Sequence, residues 1–213
     1  PTAPEAPPAS EAPAPPSSAI PYGANAPASG TFTHDGVTLY YETYGEGDPL
    51  LIVHGNGGSI GSLSAQIDFF KAHYRVIAMD SREQGKSGSS DAPINYEVMA
   101  DDLAALLDHL KTGPADIVGW SDGGIEGLLL AMRHPDKVRK LVAMAANLNP
   151  SLEAIYPETE AMAKEMVGAM PEEAKATPDG KRFLKVSALL LSEPHIDAKS
   201  LSQITAPTLI VSS

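Results

Sequence analysis

The chain of 213 residues contains no cysteine, and this absence removes several kinds of chemistry. Without a thiol there is no disulfide, no thiolate metal site and no cysteine nucleophile. No apolar run reaches the roughly 18 residues that a membrane-spanning helix needs. Basic residues are also few, with 15 Lys and Arg against 27 Asp and Glu, which gives a net charge of −12. That balance argues against binding to nucleic acid or to an anionic membrane.

The first 30 residues differ in composition from the rest of the chain, because most of them are Pro or Ala. Such a segment cannot bury enough apolar area to offset the entropy of ordering it, and proline favours extended structure. We therefore interpret residues 1–30 as a linker or tail. Pro/Ala-rich leaders also follow cleaved export signals, so the sequence predicts a periplasmic or secreted location.

From residue 31 onward, strand patterns alternate with helix patterns, which predicts a mostly parallel α/β sheet flanked by helices. The Asp35-Gly36 pair predicts an opening hairpin. Asn95 is expected to cap a helix whose Asp101-Asp102 pair lies on the solvated face. Residues 148–203 are rich in Met, Glu and Ala without a strand pattern and predict a helical insertion. Buried strands are predicted at 50–53, 75–79, 115–118, 138–145 and 206–211, and core helices at 59–74, 95–110 and 124–134.

Three polar, glycine-rich turns follow successive predicted strands, where sites in open α/β sheets lie. They are 54–59 (HGNGGS), 80–87 (DSREQGKS) and 119–123 (GWSDG). The third fits G-x-S-x-G, in which a serine occupies a sharp, strained turn from strand to helix. Side chains two residues before or after it would collide, hence the glycines. An ordinary turn is the alternative, but the flanking strand and helix favour Ser121 as a catalytic nucleophile.

An oxyanion hole needs two preorganised donors, and the sequence offers two backbone N–H groups. Asp122 follows the nucleophile at the start of a helix, whose dipole also favours negative charge. Asn56 lies in the turn after the earlier strand, where Gly55 and Gly57 allow close backbone approach. A phosphate-binding loop is the alternative, but no Lys-Ser/Thr pair or G-x-G-x-x-G pattern supports it.

These turns, in this order, resemble the α/β-hydrolase superfamily, and the Ala206–Val211 strand completes the resemblance over residues 31–213. It implies a hydrolase core at 31–147, a helical cap at 148–203 and a core strand in 204–213 that continues beyond the chain. The likeness is strongest to small esterases, lactonases and haloperoxidase-like members. Glu83 is a departure, because this loop usually carries glycine there. The serine at the apex of the turn disfavours enzymes with an aspartate nucleophile.

The family's order of catalytic residues is serine, then acid, then histidine. The acid normally follows the strand at 208–211, so the last strand and helix, the acid and the histidine are expected beyond Ser213. A cleaved C-terminal fragment or a continuation of the chain would supply them as a partner. An acid after the preceding strand finds no carboxylate in Ala145-Ala146-Asn147. Among the six histidines, His195 in the cap is the one that could overhang the site, whereas His54 has a structural role.

The sequence thus predicts a serine hydrolase that cleaves a small or medium ester or lactone, with no metal or organic cofactor. Trp120, Met162 and Met166 are candidate substrate-binding residues. For the methionines, packing inside the cap is an alternative at their spacing of four residues. Two other functions stay open: a cofactor-free perhydrolase, haloperoxidase or C–C hydrolase on the same site, and a non-catalytic binding protein.

Overall fold

The computed structural model describes residues 20–151 and 157–212. This part of the chain contains seven β-strands, six α-helices and four short 3₁₀ helices. The strands are β1 (Ser29–His34), β2 (Val37–Tyr44), β3 (Pro49–Val53), β4 (Arg75–Met79), β5 (Ala115–Trp120), β6 (Val138–Met144) and β7 (Thr208–Val211). The helices are α1 (Ser64–Phe70), α2 (Tyr96–His109), α3 (Asp122–Arg133), α4 (Pro157–Ala169), α5 (Glu172–Lys175) and α6 (Pro178–Ser192).

All seven strands form one sheet in the order β1-β2-β4-β3-β5-β6-β7. The pairs β1–β2 and β2–β4 are antiparallel, and the other four pairs are parallel. The carboxyl ends of β3, β4 and β5 therefore meet at one edge of the sheet, where the three glycine-rich turns leave it. The predicted hairpin and parallel core are confirmed.

Two hydrophobic cores cover the two faces of the sheet, which explains why the central strands are continuous apolar runs. In β3, Leu51 and Val53 face the core formed with α2 and α3. Leu50 and Ile52 face the other core, which includes Ile67 of α1. Each of these four β3 side chains is at most 3% exposed.

The boundary between tail and core differs from the expected residue 30. Tyr22 is buried and packs edge-on against Tyr44, with ring centroids 4.9 Å apart. The buried Glu42 carboxylate accepts hydrogen bonds from the backbone N–H groups of Gly23 (2.8 Å) and Asn25 (2.9 Å). Residues 20–30 therefore belong to the packed domain, because a fully buried carboxylate requires these donors. Residues 1–19 of the predicted tail lie outside the described residues.

Two details of the predicted helices were wrong. The helix expected over 59–74 is a 3₁₀ turn (Ile60–Leu63) followed by the short α1, and the Asp80 carboxylate fixes its start by accepting from Ile60 N–H at 2.7 Å. Asp102 is fully buried rather than solvated, because it forms an ion pair with Arg82 beneath the sheet edge. The cap at Asn95 is confirmed, with its side chain accepting from Val98 N–H.

The segment between β6 and β7 is helical, as expected, and contains α4, α5 and α6. Buried side chains at Ala163, Val186 and Leu189 hold this cap together and onto the core. Within the described residues, β7 lies at the edge of the sheet and pairs with β6. The strand predicted at 206–211 is therefore present at 208–211, but the prediction that it is buried is wrong here, because no described strand covers its other side and Leu209 is 58% and Ile210 59% exposed.

Candidate active site

The turn at Ser121 is a strained elbow between β5 and α3. Ser121 has φ 55° and ψ −118°, a backbone conformation that costs a non-glycine residue on the order of 1–3 kcal/mol. A Cβ at Gly119 would lie 2.0 Å from the carbonyl oxygen of Gly123, and one at Gly123 would lie 2.3 Å from that of Val53. The two glycines are therefore required by the close approach of backbone segments around the serine.

Backbone contacts hold the elbow in place and leave the serine hydroxyl available. Ser121 N–H donates to the Met144 carbonyl of β6 at 2.8 Å, and the Ser121 carbonyl accepts from Gly124 N–H at 2.8 Å. A Cβ at Gly55 would be 3.1 Å from Ser121 Cβ, so the loop after β3 passes directly beside the serine. Ser121 is half-buried, and within residues 20–151 and 157–212 its Oγ has no hydrogen-bond partner.

The side chains of Asn56 and Asp122 are hydrogen-bonded to each other, a contact that the sequence did not reveal. Asn56 Nδ2 donates to Asp122 Oδ2 at 2.9 Å and to the Val186 carbonyl of α6 at 3.0 Å. Both partners are acceptors, which fixes the orientation of the amide group. The backbone N–H groups of Asn56 and Asp122 donate to no other residue in the described part of the chain.

Two carboxyl groups one turn apart on α3 lie buried behind the elbow. Burial raises the pKa of Asp122 to about 6, while the hydrogen bond from Asn56 lowers it. Burial and the nearby charge of Asp122 raise the pKa of Glu126 well above its usual value. The buried Tyr96 hydroxyl faces Asp122 but forms no well-aligned hydrogen bond with it. The pKa of Tyr96 is raised, chiefly by burial and also by the negative charge of Asp122. The spacing of four residues between Asp122 and Glu126 was the available signal in the sequence.

The turn at 80–87 is a structural support for the site rather than a source of reacting groups. Asp80 accepts hydrogen bonds from Ile60 N–H and Lys86 N–H, both at 2.7 Å. Gly85 has φ 51°, and a Cβ there would be 2.2 Å from an Asp80 carboxylate oxygen. Ser87 Oγ donates to the Asp80 carbonyl and accepts from Tyr40 N–H. These contacts explain the aspartate, glycine and serine of this motif.

Glu83, the departure from the family pattern, connects this turn to the cap. It has φ 64°, a conformation that favours glycine, and its side chain is 1% exposed. Its Oε1 accepts from Lys185 Nζ and from Ser90 N–H, both at 3.1 Å. Arg182 adds hydrogen bonds to the carbonyls of Glu83 at 3.0 Å and Ser87 at 2.8 Å. Helix α6 is thus fastened to the turn by two cationic side chains.

A cleft of about 250 Å³ lies between the loop after β3, the turn at 80–87 and α6. Its lining residues are Gly57, Gly58, Glu83, Gln84, Gly85, Asp179, Arg182, Phe183 and Val186. The candidate substrate-binding residues Trp120, Met162 and Met166 are not among them and are 51%, 56% and 49% exposed. That exposure contradicts packing of the two methionines inside the cap, and their contact with substrate stays a prediction.

Histidines of the described residues do not pair with the serine. His54 is buried, and burial lowers its pKa. Its Nε2 accepts from Ser81 N–H at 3.1 Å and its Nδ1 lies 2.8 Å from the Gly55 carbonyl, the pattern of a neutral imidazole with a structural role. His195 is exposed. In the same part of the chain, no group of three His, Asp or Glu is placed to hold a metal ion, and no helix is long and apolar enough to cross a membrane.

Comparison with known proteins agrees with the fold. Residues 48–178 match the alpha/beta hydrolase fold family. The chain is similar to 3-oxoadipate enol-lactonase 2 of Acinetobacter baylyi, with 32% identity over 53% of this chain and 43% of that protein. It is also similar to the pimeloyl-acyl-carrier protein methyl ester esterase of Neisseria meningitidis, with 36% identity over 68% of this chain and 45% of that protein.

Among solved structures, Est816, described as an N-acyl homoserine lactone degrading enzyme, superposes with a TM-score of 0.70 and 26% identity. The match covers 85% of this chain and 80% of that one. The chain spans about half the length of the curated relatives it matches. The family match covers more than half of the chain and includes the elbow and the turn at 80–87. The chain therefore belongs to the alpha/beta hydrolase fold family.

Proposed function

We propose that this protein is a serine hydrolase that cleaves a small or medium ester or lactone through an acyl-enzyme intermediate. The observation that carries the proposal is the elbow, where Ser121 has φ 55° between a buried strand and a helix that starts at Asp122. A serine in this strained position presents its hydroxyl above the sheet edge and at the positive end of α3.

In the proposed reaction, Ser121 Oγ attacks the substrate carbonyl carbon, and its proton passes to a general base. The carbonyl oxygen becomes an oxyanion that accepts hydrogen bonds from Asp122 N–H and Asn56 N–H. Collapse of the tetrahedral intermediate expels the alcohol, which takes the proton, and leaves an acyl ester on Ser121. Water then attacks this ester by the same route and releases the acid. A lactone would give a single hydroxy acid.

The general base is proposed to be a histidine other than His54 and His195, and an acid is proposed to orient it. Within the described residues no histidine forms a hydrogen bond with Ser121: His54 accepts from Ser81 N–H in a structural contact, and His195 is exposed. Substitution of His195 in the full protein tests this assignment. Ester hydrolysis by His195→Ala should match that of wild type, whereas its loss would contradict the assignment.

The proposed substrate class follows from the relatives, because Ser121, Asn56 and Asp122 are not among the residues that line the cleft of about 250 Å³. The relatives are named as an enol-lactonase and a methyl ester esterase. The cap is proposed to select among substrates, with Trp120, Met162 and Met166 as contact residues. Hydrolysis rates for p-nitrophenyl butyrate, γ-butyrolactone and N-hexanoyl homoserine lactone would rank these classes.

Two other functions make different predictions. A binding protein on this scaffold would not react with a fluorophosphonate at Ser121, whereas a hydrolase would form an adduct there. A perhydrolase, haloperoxidase or C–C hydrolase would also be labelled but would turn over peroxide, halide or diketone substrates faster than esters. Labelling of Ser121→Ala, with the exposed Ser202→Ala as a matched control, identifies the reactive serine. Among the described residues, Ser202 Oγ forms one hydrogen bond, which it donates to the Lys199 carbonyl at the end of the cap.

A further inference from the structure

The two residues proposed to supply the oxyanion-hole N–H groups are joined through their side chains. Asn56 follows β3 and Asp122 begins α3, so 66 positions of sequence separate them. The hydrogen bond between Asn56 Nδ2 and Asp122 Oδ2, 2.9 Å long, bridges the loop and the helix beside Ser121. An oxyanion hole stabilises charge only if both donors hold a fixed position before the reaction begins.

The loop around Asn56 is a turn closed by one backbone hydrogen bond, from Gly58 N–H to the Gly55 carbonyl at 3.0 Å, and the Gly55 carbonyl also lies 2.8 Å from His54 Nδ1. Gly55 and Gly57 flank Asn56, Gly57 has φ 67°, and a Cβ at Gly57 would touch nothing within 4 Å. Two glycines give this loop more conformational freedom than other residues would. The Asn56 side chain restrains it, because one of its amide hydrogens is directed to Asp122 and the other to the Val186 carbonyl at 3.0 Å.

The environment makes this restraint strong. The Asp122 side chain lies in the buried layer behind the elbow, where the residue is 1% exposed. A hydrogen bond to a carboxylate is roughly twice as strong as one between neutral groups, and a low local dielectric strengthens it further. Val186 lies on α6, which Arg182 and Lys185 fasten to the turn at 80–87. The loop of Asn56 is therefore tied to two rigid elements, α3 and α6.

We infer that the side chains of Asn56 and Asp122 form a clamp, completed by the Val186 carbonyl of the cap, that positions the two oxyanion-hole donors. Both are positioning residues in this respect, because their side chains act through the backbone N–H groups. The clamp also makes the docking of α6 part of the catalytic geometry. The inference rests on the proposed function, since it assigns a role within the proposed oxyanion hole.

Substitution of the side chains tests the clamp without removing the donors, because alanine retains its backbone N–H. Full-chain Asn56→Ala and Asp122→Ala are compared with wild type in p-nitrophenyl butyrate hydrolysis. We expect kcat to fall about 10- to 100-fold in each, less than the roughly 100- to 1,000-fold loss of an entire oxyanion donor. KM should change less than about threefold, since the donors act on the transition state more than on bound substrate.

A donor–acceptor exchange provides the sharper test. In Asn56→Asp two carboxylates face each other, so we expect a loss of kcat that diminishes as the pH falls and one of them takes up a proton. The double variant Asn56→Asp with Asp122→Asn restores a hydrogen bond in the opposite direction. Its kcat should exceed that of Asn56→Asp at least about fivefold at neutral pH, without full recovery, because the Val186 carbonyl then has no donor.

The outcomes separate failure of the clamp from failure of the proposed function. If wild type hydrolyses the ester and a fluorophosphonate labels Ser121, but both alanine variants keep kcat within twofold, the clamp is wrong and the hydrolase stands. A double variant no more active than Asn56→Asp also overturns it. If wild type is neither active nor labelled, the proposed function fails first. Thermal melting and the labelling rate per folded molecule show whether a loss of kcat reflects unfolding alone, which would also contradict the clamp.

Discussion

Arg82 donates two hydrogen bonds of 2.6 Å to the two carboxylate oxygens of Asp102, and the side chains are 3% and 1% exposed. This paired contact joins the turn after β4 to the middle of α2. His34 Nδ1 lies 2.7 Å from Asp102 Oδ1, so the opening hairpin contacts the same carboxylate. The ion pair therefore anchors the turn at 80–87, which supports the candidate site, to the hydrophobic core.

Removal of the Arg82 guanidinium should destabilise the protein strongly. Arg82→Ala leaves the Asp102 carboxylate buried without its cation, which typically costs about 3–5 kcal/mol. Arg133→Ala is the matched control, because Arg133 pairs with Asp101 through side chains that are 41% and 28% exposed. That substitution should cost at most about 1 kcal/mol. Urea unfolding measures both, and equal losses would refute the buried pair as the support of the turn.

Asp101 and Asp102 show why sequence patterns predicted the elements of the fold better than the contacts between them. Apolar runs and a cap at Asn95 were sufficient to place α2. They could not show that one of two adjacent aspartates faces inward, because its partner, Arg82, belongs to a distant turn. The 3₁₀ start of the helix after Ser59 was also missed, since Asp80 fixes it through a contact across the sheet edge.

The glycine after the elbow should not tolerate a methyl group. In Gly123→Ala the new Cβ would be 2.3 Å from the Val53 carbonyl oxygen, so β3 or α3 must move. We expect a loss of stability of at least about 3 kcal/mol together with loss of activity, as for other backbone clashes in a packed core. Gly168→Ala on α4 is the control, since its Cβ meets nothing within 4 Å and alanine favours a helix. Comparable stability of the two variants, measured by thermal melting, would be inconsistent with this elbow.

Neutralisation of Asp122 should stabilise the protein at high pH although it weakens the proposed clamp. Burial raises the pKa of Asp122 from 3.8 to about 6, so the folded state binds this proton more tightly than the unfolded chain. The free energy of unfolding therefore decreases as the pH rises from the pKa of the unfolded chain toward the pKa of the folded state. The total decrease is on the order of 2–3 kcal/mol. Glu126, Tyr96 and Asn56 face this carboxyl from α3, α2 and the loop after β3, and all remain in Asp122→Asn.

Urea unfolding of Asp122→Asn and wild type at several pH values measures whether wild type loses stability relative to the variant as the pH rises. The variant should gain relative stability between about pH 4 and pH 6 and keep a constant advantage above that range. A stability difference independent of pH would show that Asp122 is not held at a raised pKa. A variant that becomes relatively less stable with rising pH would mean that the carboxylate is net stabilised by Asn56.

Replacement of Glu83 by glycine should loosen the cap more than the core. Glycine adopts the positive φ of this position without strain, which should stabilise the protein by about 1 kcal/mol. The same change removes the ion pair between Glu83 and Lys185. We expect little change in global stability and faster amide hydrogen exchange over α6, with α2 as an internal reference. Glu83→Gln retains the backbone strain and loses only the charge, so it separates the two effects. Unchanged exchange of α6 in both variants would show that Lys185 does not fasten the cap.

The site itself was predictable only in part. Spacing and flanking elements were enough to identify the elbow, and the close approach of Gly119 and Gly123 to neighbouring backbone accounts for both glycines. The roles of the Asn56 and Asp122 side chains were not visible in the sequence, because their contact joins the loop after β3 to the start of α3, and Asn56 also reaches α6 of the cap. The exposure of Met162 and Met166 also depends on how α4 packs, which a spacing of four residues does not determine.

The mass of tryptic peptides after treatment of the full chain with a fluorophosphonate shows whether Ser121 is the nucleophile. We expect one adduct, on the peptide that contains Ser121, which disappears together with ester hydrolysis in Ser121→Ala and persists in Ser202→Ala. An adduct on another serine, or undiminished hydrolysis by Ser121→Ala, would contradict the proposal.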